Sequence, residues 1–256
     1  MNVLVTGGTG ALGRRVVQQL REAGHRARIL SRHPKGHVDA VQGDLSTGEG
    51  LLKAVNGMDA IIHAGSATRE LFKGRATDVV GTRRLLAMAR EARVRHVVYV
   101  SIVGMEGIAY PYYKTKLATE AVVRENIIPW SILRATQFHT LMEVFLGTFS
   151  KIPGLATVPF RWRFQPVDTK DVARRLIDVV TGEPAGMLAD FGGPEVRDLK
   201  SMAVSWLAAR KDNRRLINLR LPIKFSRQVA DGKLLCPDHT DGTITFEQYL
   251  NEKYGT

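Results

Sequence analysis

Only one cysteine, Cys236, occurs in the 256-residue chain, so no intrachain disulfide can form and a reducing, cytoplasmic setting is expected. A solitary thiol of this kind is expected to be a small packing residue. No apolar run approaches the ~20 residues that a membrane span needs. Nor does the chain open with a basic stretch and an apolar segment, so neither a leader nor a membrane partner is expected. Zinc-ligand spacings, basic heptads, a P-loop lysine and a Ser-His-Asp elbow are all missing. His33 and His37 are four apart, but Pro34 and Gly36 lie between them and prevent a helical metal pair, so no metal is expected. No repeat, low-complexity tract or flexible linker interrupts the chain.

What is abundant is positive charge. The formal net charge is +12, a value that raises nucleic acid as a partner. Its distribution argues otherwise: residues 1–130 carry 19 basic and 11 acidic side chains, and residues 131–256 carry 18 and 14. A spread excess reads as a soluble, arginine-rich surface that attracts a small anionic ligand. The sequence sets no oligomeric state.

Strand-like and helix-like segments alternate through the first half. Asn2–Val5, Ala27–Leu30, Ala40–Gln42, Ala60–His63, His96–Val100 and Ser131–Leu133 read as strands. Between them Ala11–Ala23, Gly50–Val55, Arg75–Ala92 and Tyr113–Glu125 read as helices. This alternation predicts an α/β protein, a Rossmann-type doubly wound parallel sheet with a smaller C-terminal substrate lobe. Residues 1–136 would form the dinucleotide-binding core. Residues 137–256 would form a substrate-side lobe packed on it as one structural unit. In that second half a helix is expected over Gln137–Phe149. Thr169 and Asp198 are expected to cap two further helices, and Thr245-x-x-Gln248 resembles a capping box. Phe160–Gln165 alternates like a strand, which makes Trp162 and Phe164 candidates to line a lid.

The most informative stretch is Thr6-Gly7-Gly8-Thr9-Gly10-Ala11-Leu12-Gly13, which joins the first strand to the first helix. Two glycine registers fit, Gly8-x-Gly10-x-x-Gly13 and Gly7-x-x-Gly10-x-x-Gly13. Either brings backbone and a helix N-terminus up to a diphosphate. Thr6, Gly7, Thr9, Gly10, Ala11, Leu12 and Gly13 are therefore candidate cofactor residues. The second strand ends Ser31-Arg32, with no acid to hold a ribose 2′-hydroxyl. A guanidinium and a hydroxyl there favour a 2′-phosphate, and Arg14 and Lys35 add charge, so NADP(H) is expected over NAD(H). Asp44 and Leu45, after the third strand, are placed to meet the adenine. Ala64, Gly65 and Ser66, after the fourth, are small residues where the chain passes close to the cofactor.

Tyr112-x-x-x-Lys116 puts a phenol and an ammonium on one helix face. A lysine charge beside a tyrosine favours the phenolate. Tyr112 is thus a candidate general acid or base and Lys116 its tuner and a ligand of the nicotinamide ribose.

Taken with Gly43-Asp44-Leu45, Val100-Ser101, Ile132-Leu133-Arg134-Ala135-Thr136-Gln137-Phe138, Gln165-Pro166-Val167-Asp168 and Gly192-Gly193-Pro194-Glu195, these motifs run nearly the full length. The chain resembles a short-chain dehydrogenase/reductase of the atypical, NmrA-like branch. The resemblance implies NAD(P)H bound at Gly7, Gly10 and Gly13, with Tyr112 and Lys116 in the active site. It implies that Ala135 and Thr136 pass under the nicotinamide, and that Gln137, Phe138 and His139 face a small-molecule substrate. One departure stands out. Family members carry two consecutive serines where this chain has Ser101-Ile102, so Ser101 is the third candidate catalytic residue. The expected activity is hydride transfer between nicotinamide and a carbonyl, alcohol or activated double bond of an apolar or aromatic substrate. The alternatives are a redox-sensing NADP(H)-binding protein without turnover and a sugar-nucleotide epimerase or dehydratase.

Overall fold

Runs of aliphatic residues that end in glycine, serine or aspartate set up the strand–turn–helix units of this chain. The computed structural model describes residues 1–34, 36–37, 39–66, 76–108 and 110–255. Lys35 and the expected helix start at Arg75 lie outside them. In chain order the elements are β1 (Asn2–Thr6), α1 (Ala11–Glu22), β2 (Arg26–Ser31), β3 (Ala40–Gln42), α2 (Leu51–Val55), β4 (Ala60–His63), α3 (Gly81–Glu91), β5 (His96–Ile102), α4 (Pro111–Arg124) and β6 (Trp130–Ala135). They continue with α5 (His139–Phe149), β7 (Leu155–Val158), β8 (Arg163–Phe164), α6 (Thr169–Thr181), β9 (Gly186–Met187), β10 (Arg197–Asp198), α7 (Leu199–Ala209), β11 (Arg215–Asn218), α8 (Lys224–Ala230) and α9 (Phe246–Tyr254).

The chain packs as two compact units. The first comprises Met1–Ser101, Tyr110–Arg134 and Val172–Ala189; the second comprises Ile102–Ala109, Ala135–Asp171 and Asp190–Thr256. The grouping follows strand pairing: β9 pairs with β6, Ser131 opposite Gly186, so Val172–Ala189 belongs to the first unit.

The first unit is a seven-stranded parallel sheet of order β3-β2-β1-β4-β5-β6-β9, flanked by helices. Every residue of β4 and all but the first of β1 are buried, the pattern of central parallel strands covered on both faces. The strand order reverses between β1 and β4, which makes their C-terminal ends the topological switch point. Register brings those ends level: Thr6 pairs with Leu30 on one side and His63 on the other, and His63 pairs with Tyr99. The loops after β1, β2, β3 and β4 therefore emerge along one edge. The expected single helix over 75–92 is broken. A π-helical turn, Ala76–Val80, leads into α3, and the Thr82 hydroxyl takes the Asp78 carbonyl at the junction.

In the second unit, β7 pairs in parallel with β11 and β8 antiparallel with β10. Trp162 and Phe164 are buried and stack edge-on, and the Trp162 indole donates to Ser226. They are core residues, not the lid lining expected from alternation. The expected caps at Asp198 and at Thr245/Gln248 are present. For α6 the expectation was one residue off. Asp168, not Thr169, accepts from an early helical amide, that of Lys170 at 2.7 Å. No helix among the described residues is long and apolar enough to cross a membrane.

Candidate active site

The loop from β1 to α1 is shaped by backbone crowding. Gly7 has φ +69°, and a Cβ there would lie 2.7 Å from the Gly65 Cα. A Cβ on Gly13 would land on the Gly7 carbonyl oxygen. Any side chain at either position displaces backbone, so both glycines are structurally required. Thr9, Gly10 and Ala11 are exposed at the tip, and Leu12 is buried behind them. The α1 N-cap, Gly10, provides no side-chain acceptor, and the first turn carries no acid. Its amides are thus left to an external anion.

Around this loop, Arg32 is exposed and makes no side-chain hydrogen bond or ion pair among the described residues. The Ser31 hydroxyl accepts from the His33 amide at 3.1 Å. Asp44 Oδ1 closes its own turn by accepting from the Ser46 amide and hydroxyl, at 2.7 and 2.8 Å. The Leu45 backbone sits where a Cβ on Gly81 would meet it, at 2.8 Å.

Behind the loop runs a buried chain of hydrogen bonds. The Gly65 amide donates to Thr6 Oγ1 at 3.0 Å, and Thr6 Oγ1 lies 2.6 Å from His63 Nδ1. His63 Nε2 lies 2.8 Å from Thr82 Oγ1, whose own proton goes to the Asp78 carbonyl. Because Thr82 spends its proton there, it accepts from His63, which fixes the Nε2–H tautomer and makes Thr6 the donor to Nδ1. Burial, reinforced by the Lys116 charge, pushes the His63 imidazolium down to about 3. His63 is therefore a neutral tie between β1, β4 and α3.

Pro111 at the first helical position starts α4, which carries Tyr112 and Lys116 one turn apart. Their side chains have separate partners. The Lys116 ammonium donates to the Val100 carbonyl at 2.7 Å and lies 4.2 Å from the centre of the Tyr99 ring. Burial pulls it down to about 8, against the charges of Asp78 and Glu120. The Tyr112 hydroxyl lies 3.2 Å from Ser66 Oγ, and Ser66 Oγ donates to Asp78 Oδ2 at 2.5 Å. Burial pushes the Tyr112 phenol up to about 12, and the charges of Asp78 and Tyr110 add to it. This is opposite to the direction expected from a lysine at i+4. The lysine is occupied elsewhere and the tyrosine's nearest charge is a carboxylate. Ser101 is buried, and its hydroxyl has no partner among the described residues. Glu120, also on α4, holds Arg134 of β6 through two bonds of 2.9 and 2.7 Å.

The remaining candidates belong to the second unit. Ala135 is buried, and Thr136 Oγ1 accepts from the Gly193 amide at 3.2 Å. Gln137 is 5% exposed, and neither its amide oxygen nor its nitrogen has a partner among the described residues. Phe138 caps α5 and bridges to Val167. His139 is held by the protein itself: Nε2 donates to the Ile244 carbonyl at 2.9 Å, and its ring packs on Phe246 and Tyr249.

A family model described as NAD(P)H-binding matches residues 7–181. The chain belongs to this NAD(P)H-binding family. Its fold is that of short-chain dehydrogenase/reductase structures. Among relatives, it is 30% identical over 208 residues to the (4-alkanoyl-5-oxo-2,5-dihydrofuran-3-yl)methyl phosphate reductase of Streptomyces griseus, covering 75% of this chain and 68% of that one. It is 28% identical to the Photosystem II assembly factor Ycf39 of Trieres chinensis, over 68% of this chain and 58% of that protein's length. A short-chain dehydrogenase/reductase superfamily protein from Agrobacterium tumefaciens, solved with bound NAD, superposes with a TM-score of 0.75 at 21% identity over 98% and 95% of the two chains.

The NAD(P)H implied by the family fits this loop. The close-packed glycines, the uncapped α1 amides and the exposed Thr9–Ala11 tip are features that admit a diphosphate. Sequence reasoning passed over Asp78, Thr82 and the Glu120–Arg134 pair. The available signal was Asp78-Val79-Val80-Gly81-Thr82, an acid and a hydroxyl four apart on the face of a helix that otherwise packs inward.

Proposed function

We propose that the protein is a cytoplasmic NADP(H)-dependent oxidoreductase acting on a carbonyl, alcohol or activated double bond of a small apolar or aromatic molecule. The observation that carries this reading is the Tyr112 hydroxyl, which keeps its proton and is held by Ser66 at the C-terminal edge of the sheet, one helical turn from a buried lysine that burial pulls down to about 8. Perturbed titratable groups gathered at a switch point are characteristic of reaction sites. When bound, NADP(H) supplies or accepts the hydride.

The chain's own residues do the rest. Thr6, Gly7, Thr9 and Gly10 to Gly13 seat the diphosphate on the α1 amides. Ser31 and Arg32 take the 2′-phosphate, with Arg32 free to offer its planar fork. Asp44 Oδ2 and the Leu45 backbone meet the adenine, and Ala64 to Ser66 give the cofactor room. Lys116 binds the nicotinamide ribose. Tyr112 gives its Oη proton to the substrate oxygen or takes one from it, and the Ser101 hydroxyl is the second polar contact for that oxygen. By itself, the second unit offers small-molecule contacts at Ala135, Thr136, the unpaired Gln137 amide and Phe138. The Streptomyces reductase among the relatives supports this reading.

The test is NADPH oxidation across a panel of ketones, quinones and enones. Turnover should fall by about 10²- to 10⁴-fold in Tyr112→Phe, with NADPH affinity kept. A second reading, an NADP(H)-holding protein without turnover, is favoured by the likeness to an assembly factor. It predicts NADPH binding, no consumption on the panel, and the same behaviour in Tyr112→Phe.

A further inference from the structure

A tyrosine that keeps its proton, and whose neighbouring lysine is engaged elsewhere, needs another route by which that proton arrives and leaves. We infer that Ser66 and Asp78 are that route: a two-residue proton relay behind Tyr112. The inference rests on the oxidoreductase reading; it adds Asp78, which no sequence motif assigned, and gives Ser66 a role beyond making room for the cofactor. Asp78 is 3% exposed, on the π-helical turn that packs against α4. Ser66 is the residue between it and Tyr112, with Oγ 2.5 Å from Asp78 Oδ2 and 3.2 Å from the Tyr112 hydroxyl.

The direction of the chain follows from proton counting. A serine hydroxyl has one proton, and Ser66 gives it to the carboxylate. Ser66 must therefore accept from Tyr112. The donors run in one sense: Tyr112 O–H to Ser66 Oγ, Ser66 O–H to Asp78 Oδ2. With NADP⁺ bound as the hydride acceptor, alcohol oxidation would leave the alcohol oxygen's proton to be taken by Tyr112 Oη. At the same time the Tyr112 O–H bond breaks as a new Ser66 O–H forms, and the old Ser66 O–H breaks as Asp78 Oδ2–H forms. Tyr112 and Ser66 end unchanged, and Asp78 ends as the carboxylic acid. Carbonyl reduction runs the same steps backwards from protonated Asp78. The arrangement in the structure, with the carboxylate as acceptor, is the one set to receive a proton. Among the described residues the groups facing Asp78 include Tyr99 on β5, Tyr112 and Lys116 on α4, Ser66 after β4 and Thr82 on α3. Of these only Ser66 joins it to Tyr112 by hydrogen bonds among the described residues.

The experiment pairs a readout on cofactor-free protein with kinetics. In cofactor-free protein the ultraviolet phenolate signal of Tyr112, isolated by subtracting Tyr112→Phe, should titrate at lower pH in Asp78→Asn, which loses the repelling carboxylate, and in Ser66→Ala, which loses the acceptor of the phenol proton, while Ser66→Thr should titrate like wild type. On an accepted substrate, Asp78→Asn and Ser66→Ala should each lose at least about tenfold in kcat. NADPH affinity of Asp78→Asn should stay within about twofold, and Ser66→Thr should recover the rate. The wild-type rate in mixed light and heavy water should bow downward, as for several protons moving together, and become linear in Asp78→Asn. Should Tyr112→Phe abolish turnover while Asp78→Asn and Ser66→Ala keep wild-type kcat, the relay is wrong and the oxidoreductase reading stands. Should no substrate turn over, that reading fails, and a Tyr112 titration unmoved by both variants overturns the coupling as well. Ser66→Ala removes only an oxygen from a half-buried position, so it keeps the test open if Asp78→Asn does not fold.

Discussion

Two carboxylates of the second unit and the lysine of the first unit's candidate site carry buried charge in opposite ways, although the first unit also holds a saturated pair, Glu120 with Arg134. In the second unit, Glu143 accepts from the Trp206 indole, the Tyr249 and Tyr254 hydroxyls and the Lys253 ammonium. Burial works against its charge, but those bonds outweigh it and the carboxyl is held below its ordinary range. Asp171 likewise takes the Thr243 and Ile244 amides, at 2.8 and 3.0 Å. In the first unit, Lys116 has one carbonyl and one ring face, and burial wins: its ammonium is pulled down to about 8. Tyr112 is pushed the other way, and Ser101 has no partner among the described residues. Saturated buried charge fastens a fold, whereas buried charge left short of partners costs stability and survives where a ligand or a reaction uses it. By the same measure Gln137 and Ser150 stand out in the second unit, as buried side chains whose donor and acceptor are both unmet among the described residues.

The comparison breaks most readily at Glu143. Glu143→Gln should cost about 2–3 kcal/mol of stability, because an amide turns a donor either toward the Tyr249 hydroxyl and the Lys253 ammonium or toward the Tyr254 hydroxyl and the Trp206 indole. NADPH affinity should be untouched. A denaturant midpoint equal to wild type would mean that saturation there contributes nothing.

Lys116 sharpens the comparison through pH. Its folded value, about 8, lies below the ordinary 10.5. The unfolded chain therefore binds the extra proton between those two values, and stability rises with pH across that window. The penalty is full below pH 8 and relieved above 10.5, by up to about 3 kcal/mol. Stability against pH, wild type minus Lys116→Met, should show that rise; a flat difference would show that the ammonium is not penalised. The smallest effect is expected at exposed Arg32. Arg32→Ala should reduce the preference for NADPH over NADH by about tenfold, read as the ratio of the two dissociation constants, with stability unchanged. An unaltered ratio removes Arg32 from the 2′-phosphate.

Local rules made much of the fold legible in the sequence. The strand ends and the β1–α1 turn follow from aliphatic runs cut by glycine, and Asp198 and Thr245/Gln248 cap where their spacing predicted. The site was legible only as far as spacing reaches. Tyr112 and Lys116 do share a helix face, but i,i+4 spacing does not say which carbonyl captures the ammonium, and Val100 does. Ser66, Asp78 and Tyr112 meet across 12 and 46 residues of chain, a contact fixed by strand order and by the π-helical turn. His139 follows the segment expected to face substrate, yet the first turn of α5 places it against Phe246 and Tyr249.

The most direct measurement needs no substrate: a thermal melt and an NADPH titration on the same Lys116→Met sample at neutral pH. If the ammonium is held at a cost so that it can bind the nicotinamide ribose, the variant should gain about 2 kcal/mol after losing the bond to Val100 and should melt higher. Its NADPH affinity should fall by about tenfold or more. A variant that melts lower and binds NADPH as tightly as wild type would make Lys116 an ordinary structural lysine and would contradict the account.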